Sequence, residues 1–296
     1  MFSKFEKYQF EEYHKALDFF VQNPNSLEQV ELFVMQEIEH FIDLHLPEIV
    51  RDYNEASYLH PFWKNYPPLE RGRDPVGDQY PWIEVGEQVF GNKLSRHFAA
   101  NFLVKDSGLP SGSDDRCVIA SERIKQILKI TDSVWVFVDI KSAGPRDDFE
   151  HAVMSPYQIS GSGNWDSRRS GMKNDPIMAI GKRVRHEFFC SISPIYVLSD
   201  KTIAPLVSFV IKPVYSMDGH GVSSNETTGQ ALRKIKLAAI PNGILLTRNP
   251  NLNHKYPGLF FPGKDDRGKD KRKCRARIDF KVLQAIADWR VKMIEV

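Results

Sequence analysis

The chain has 296 residues, 42% of them hydrophobic and 26% charged, enough to bury one large core or two modest ones and ordinary for a globular protein. A net charge of only +2 excludes a polycation, and no run of about eighteen apolar residues is present, which excludes a membrane-spanning helix. The opening Met1 to Glu12 is charged and lacks a signal-peptide core, and Cys117, Cys190 and Cys274 have no metal-ligand spacing; a cytoplasmic protein with reduced thiols and no membrane partner is expected.

The first hundred residues read as mainly helical. Ser26 with Gln29 has the spacing of a capping box, and Val30, Leu32, Phe33, Ile38, Phe41, Ile42 and Leu44 recur behind it at helical spacing. Pro47, and then the stretch from Tyr53 to Pro68, should interrupt that pattern. Residues 61–81 hold five prolines and two glycines, the mark of an extended connection. A further helix is expected from about Pro81, with Ile83, Val85, Val89, Phe90, Leu94 and Phe98 as its apolar face.

The remainder reads as sheet. Ser133–Lys141, Ile195–Leu198, Ile203–Tyr215, Leu232–Ile240 and Ile244–Thr247 are rich in β-branched and aromatic residues. Pro205 and Pro213 should confine the long middle run to an edge or to bulged pairing. No linker divides two cores, so a single α/β domain spanning 1–296 is expected, with a helical part over about 1–100 and a mixed sheet core over about 101–296.

Ser133–Lys141 carries the most information. Alternation sets Val134, Val136, Val138 and Ile140 on one face and Trp135, Phe137, Asp139 and Lys141 on the other. A strand apolar on both faces should be central and covered on both sides. Its two charges fall at the C-terminal end, where a carboxylate and an ammonium share one small volume. The turn Gly112-Ser113-Asp114-Asp115 leads into the apolar run Cys117–Ala120, and a neighbouring strand there would bring Asp114 beside Asp139. Two carboxylates and a lysine suit phosphodiester hydrolysis: hard cations take oxygen ligands, the metal activates water, and the lysine stabilises developing negative charge. A second Asp-x-Lys stands at Asp279-Phe280-Lys281, but in an amphipathic run, where surface ion pairing accounts for it.

Asp114…Asp139-Ile140-Lys141 resembles the PD…(D/E)xK nuclease superfamily. Leu59–Trp63, Asn65–Leu69, Pro81–Glu87, Phe137–Ser142, Gly144–Asp147 and Pro262–Arg267 resemble, more narrowly, type II restriction endonucleases of the BglI kind, over about Asp52 to Val282. The resemblance implies a mixed central β-sheet flanked by helices, Asp114 and Asp139 as metal ligands with the main-chain carbonyl of Ile140, Lys141 as the catalytic lysine, and one or two Mg²⁺ per active site. Ser113 stands where the superfamily has proline. Asp115 is the alternative to Asp114, and Glu87, on the helix after Pro81, is a further catalytic candidate.

The resemblance also implies double-stranded DNA as substrate, at the interrupted palindrome GCCNNNNNGGC. Guanine presents acceptors for Arg and Lys, and cytosine a donor for Asp. Lys264 to Arg277 holds eight basic and three acidic residues in fourteen. Asp147, Lys264, Asp266 and Arg277 are the expected base readers, with Arg146 and Arg275 beside them. A palindromic target implies a two-fold homodimer, and a restriction enzyme implies a cognate methyltransferase in the cell. The rival readings are a structure-specific repair nuclease of the same superfamily and a non-catalytic DNA-binding dimer.

Overall fold

Helices fill the described part of the first hundred residues. The computed structural model describes residues 3–58, 82–106, 112–143, 148–166, 172–182, 185–215, 232–263, 270 and 273–296. Helix α1 (Lys4–Gln22) opens on a reciprocal cap: the Glu6 amide donates to the Ser3 hydroxyl and the Ser3 amide to the Glu6 carboxylate. Helix α2 runs Pro24–Tyr58, starting on a proline whose missing N–H has no cost in the first turn. The cap expected at Ser26 is not formed; Ser26 lies inside the helix and donates to Asn23 O at 2.6 Å. Nor does Pro47 end the helix. Phe41 and Ile42 before it, and Ile49 and Tyr53 after it, are all buried; keeping that stripe on the core outweighs a proline penalty of roughly 3 kcal/mol. Helix α3 (Trp82–Asn101) starts where expected and buries Phe90, Leu94 and Phe98. The Pro-rich connection of 61–81 lies outside the described residues.

A seven-stranded mixed sheet forms the centre. Strands β1 (Leu103–Asp106) and β2 (Asp115–Ala120) are antiparallel. Helix α4 (Glu122–Leu128) leads into β3 (Ser133–Ile140), antiparallel to β2. Strand β8 (Ile203–Tyr215) lies parallel to β3, and its start pairs with β7 (Ile195–Val197). Strand β9 (Leu232–Ile240) and the C-terminal β12 (Val291–Glu295) complete the order β1-β2-β3-β8-β9-β12. Every residue of β3 is buried. Val134, Val136, Val138 and Ile140 join the main core with α2 and α3, while Trp135 and Phe137 pack with Ile192, Ala204 and Leu206 on the other face.

Of the two pairings expected for a strand carrying Pro205 and Pro213, β8 takes the bulged one: it is interior, not an edge, with a register shift at Val214/Tyr215. Pro205 faces β7, and Pro213 precedes an irregularity at Val214/Tyr215 while its carbonyl still accepts from the Ala143 amide, so neither proline interrupts the central pairing. Ile244–Thr247 is not a strand; Gly243–Thr247 is a short helix, α5, capped by the Asn242 side chain on the Ile244 amide.

A second sheet of three strands stands apart, in the order β10 (Phe260–Pro262), β11 (Ala276–Asp279), β4 (His151–Met154). Strands β5 (Ile177–Ile180) and β6 (Arg185–Phe188) form a hairpin. Helix α6 (Leu252–Lys255) precedes β10, and α7 (Phe280–Ile286) follows β11. The second Asp-x-Lys finds its place there: Asp279 caps α7, accepting from the Lys281 and Val282 amides. Cys117, Cys190 and Cys274 are free and buried, and no helix among the described residues is long and apolar enough to cross a membrane.

Candidate active site

The C-terminal end of β3 collects the charged groups. Asp139 is 1% exposed, and its Oδ2 pairs with the Lys141 ammonium at 2.6 Å. Strand alternation forces this pairing, because residues two apart point to one face. Strand β2 ends its pairing with β3 at Asp115 opposite Val138, so the turn before it brings Asp114 level with Asp139 and its side chain within reach of the next peptide. Asp114 Oδ2 accepts from the Ile140 amide at 2.6 Å. The Lys141 amide donates instead to Ile211 O of β8 at 2.8 Å. Main-chain groups alternate edges along a strand, so the Ile140 carbonyl turns to the same edge as its amide, toward Asp114. Asp115 faces away: it accepts from the Ser95 hydroxyl of α3 at 3.0 Å.

Glu87 approaches because Gly86 lets α3 come close. A Cβ on Gly86 would lie 2.3 Å from the Ser142 hydroxyl, just beyond Lys141, and 3.3 Å from the Tyr53 hydroxyl. Gln158 was not singled out in the sequence. Its amide nitrogen donates to Asp139 Oδ1 at 2.5 Å and to Gly112 O at 2.8 Å, and its oxygen accepts from the Ser155 amide. It thereby orients the carboxylate and ties it to the turn that carries Asp114. It sits in a Ser-Pro-Tyr-Gln turn with no motif around it, so no pattern marks it.

Burial pushes the Asp139 carboxyl up to about 7; the Lys141 charge pulls it down, and the negative charges of Asp114 and Glu87 raise it again. The negative charges of Asp114 and Glu87 act on Asp139 beside the Lys141 ammonium, and Asp139 Oδ2 has no aligned hydrogen bond beyond that ion pair. Carboxylate oxygens are the hard donors that a divalent cation takes. No group of three or more His, Cys, Asp or Glu among the described residues forms a closed coordination shell, so these side chains would supply only part of one.

Of the expected base readers, Arg277 lies on β11, opposite Val153 of β4 and Phe261 of β10. Its guanidinium is 3.6 Å from the Asp148 carboxylate and sits over the Phe261 ring. Arg275 is exposed just before β11, and its carbonyl accepts from the Gly263 amide at 3.3 Å. Arg146, Asp147, Lys264 and Asp266 lie outside the described residues. The described neighbours of those segments, Asp148 and Gly263, both border the three-stranded sheet.

A mixed sheet whose buried central strand ends in Asp-x-Lys, with a second aspartate bonded to the peptide between them, defines a restriction-endonuclease-like core. The chain belongs to the restriction endonuclease BglI family, whose sequence model matches residues 8–294. It is 44% identical over 282 residues to the type II restriction enzyme BglI of Bacillus subtilis, across 94% of this chain and 93% of that protein. The crystal structure of BglI bound to its DNA recognition sequence has a TM-score of 0.91 and 43% identity, over 100% of this chain and 99% of that one. Tetrameric SfiI bound to cognate DNA shares the fold alone, with a TM-score of 0.60 and 13% identity over 91% of this chain and 84% of that one. The chain is accordingly a type II site-specific deoxyribonuclease, and its relatives imply a divalent-metal cofactor.

Proposed function

We propose that this enzyme, as a homodimer of single-domain subunits in the cytoplasm, hydrolyses both strands of double-stranded DNA at GCCNNNNNGGC in a Mg²⁺-dependent reaction. Each subunit would take one half-site, and a cognate methyltransferase would protect the host's copies of the site. The observation that carries the reading is the buried Asp139, paired with Lys141 and adjacent to Asp114 on the Ile140 amide.

Asp114, Asp139 and the Ile140 carbonyl would hold the cation, leaving room for water and a phosphate oxygen. When bound, Mg²⁺ supplies Lewis acidity at the scissile phosphate and lowers the pKa of water. Lys141 turns its ammonium toward the negative charge that develops in the transition state. Glu87, on the neighbouring helix, adds a carboxylate at the rim, and Gln158 keeps Asp139 facing the site. Base reading falls to Asp147, Lys264, Asp266 and Arg277, with Arg146 and Arg275 beside them. Aspartates within a basic, DNA-facing segment repel phosphate but accept from cytosine N4, which suits a G·C half-site.

The test is plasmid cleavage with Mg²⁺ or EDTA, followed by sequencing of the ends. Defined ends at one interrupted G·C palindrome, in Mg²⁺ only, are expected. Asp139→Ala and Lys141→Ala should each lower the cleavage rate by at least about 100-fold. Ends without a fixed sequence would favour the structure-specific nuclease, and full activity in Asp139→Ala would overturn the assignment of the centre.

A further inference from the structure

Two lysines are buried on the face of the sheet that carries the catalytic pair. The parallel register Ile140↔Ile211 continues through the Ala143–Val214 bridge, so Lys212 stands beside Lys141 on the neighbouring strand. Lys236 of β9 stands directly opposite Lys212. Lys141, Lys212 and Lys236 therefore form a row across three strands. Lys212 and Lys236 are each 5% exposed, and like charges paired across strands are unfavourable. Two ammonium groups taken out of water this close together need acceptors, and the acceptors show what the lysines hold in place.

What they hold is one short segment. Lys212 donates to the carbonyls of Asp148 and His151, and Lys236 to that of Phe149. The Phe280 amide donates to the Glu150 carbonyl. All four consecutive carbonyls from Asp148 to His151 are thus directed onto donors from the sheet and α7. The Lys236 ammonium is also 3.5 Å from the Glu150 carboxylate, and both ammonium groups lie over the Phe280 ring. With its carbonyl held on one side, Asp148 presents its carboxylate to His151 at 2.7 Å and to Arg277 at 3.6 Å. Asp148 is also the residue covalently joined to Asp147.

We infer that Lys212 and Lys236 are positioning residues for sequence recognition. They fix the Asp148–His151 segment against the strand next to the catalytic one, and so set where Arg277, paired with Asp148, meets the DNA relative to the cleavage centre. This rests on the reading of Arg277 as a base reader. A lysine fits because an ammonium with three donor hydrogens on a long stem reaches two main-chain carbonyls at once from a sheet face.

The experiment compares kcat/KM on the cognate site and on sites with one G·C pair changed, for the parent, Lys212→Met, Lys212→Arg, Lys236→Met, Asp147→Ala and Arg277→Ala. Each enzyme is assayed well below its own Tm. Lys212→Met should lower cognate over changed-site discrimination by roughly 10- to 100-fold. Lys212→Arg should recover most of that loss, and Lys236→Met, which frees a single carbonyl, should lose less. A fall in cognate and changed-site cleavage by the same factor in both methionine variants would overturn the inference, because a purely structural role predicts it. If Asp147→Ala and Arg277→Ala keep full discrimination, the base-reader assignment fails and the inference falls with it. If they lose discrimination while both lysine variants keep it, the inference alone fails.

Discussion

Asp139 is held in the folded chain at a cost that shows how the centre is tuned. Burial raises its pKa to about 7, and Asp114 and Glu87 add to the rise that Lys141 opposes. An unfolded aspartate titrates near 3.9. Between the two values the metal-free folded state binds the extra proton, so this group's contribution to stability is fullest below about pH 4 and is lost as pH rises through 7. Asp139→Asn removes that penalty while keeping an oxygen for the Gln158 amide. In EDTA at pH 8 the variant should be more stable than the parent by on the order of 1–4 kcal/mol, with the gap closing toward pH 4. Urea unfolding at the two pH values measures it, and a gap independent of pH would show that no buried charge is being relieved. The same variant should have lost cleavage in Mg²⁺, so the stabilisation comes at the expense of the function.

The elements that position this centre differ in how well the sequence announces them. β3 is legible because its apolar residues alternate on both faces and its charges fall at one end. Asp114 is legible because the turn before β2 is short and polar. α2 is legible in its apolar spacing but not in its length, since a local proline signal competes with burial of Ile49 and Tyr53, which only the folded core supplies. α5 is misread as a strand because an apolar run of four or five residues has no periodicity to separate helix from strand. Gln158 is illegible: nineteen residues from Asp139, it acts through an amide that any turn glutamine carries. α5 also gives a test in which local propensity and packing predict opposite signs. Gly243 opens this helix, and a Cβ there would lie 2.0 Å from the Gly161 carbonyl oxygen. Helix propensity predicts that Gly243→Ala stabilises by up to about 1 kcal/mol. Main chain cannot swing aside as a side chain can, so the contact should instead destabilise by about 1–3 kcal/mol. A rise in Tm for Gly243→Ala would mean that α5 is not seated against the 160–161 segment as described.

Across the whole molecule, a buried ion pair ties the N-terminal helices to the C-terminal strand. Glu31 of α2 and Arg290, in the turn before β12, are 0% and 1% exposed with 2.8 Å between Oε2 and the guanidinium. Glu31 Oε1 accepts from the Asn242 amide at 2.6 Å, at the entry to α5, and Arg290 stacks on Trp289. Burial pushes the Glu31 carboxyl up and the Arg290 charge draws it back. The pair links three parts of the chain that meet behind the sheet, away from the cleavage centre. Breaking it from one side leaves a buried charge without its partner, so Arg290→Met or Glu31→Gln should each destabilise by about 3–5 kcal/mol. Removing both charges together leaves neither stranded, and the glutamine oxygen still accepts from Asn242. The double variant should therefore lose clearly less than the sum of the singles, and cleavage per folded molecule should stay near the parent's because neither residue touches the site. Urea unfolding of the four proteins closes the cycle. Strict additivity would mean that the two charges do not depend on each other.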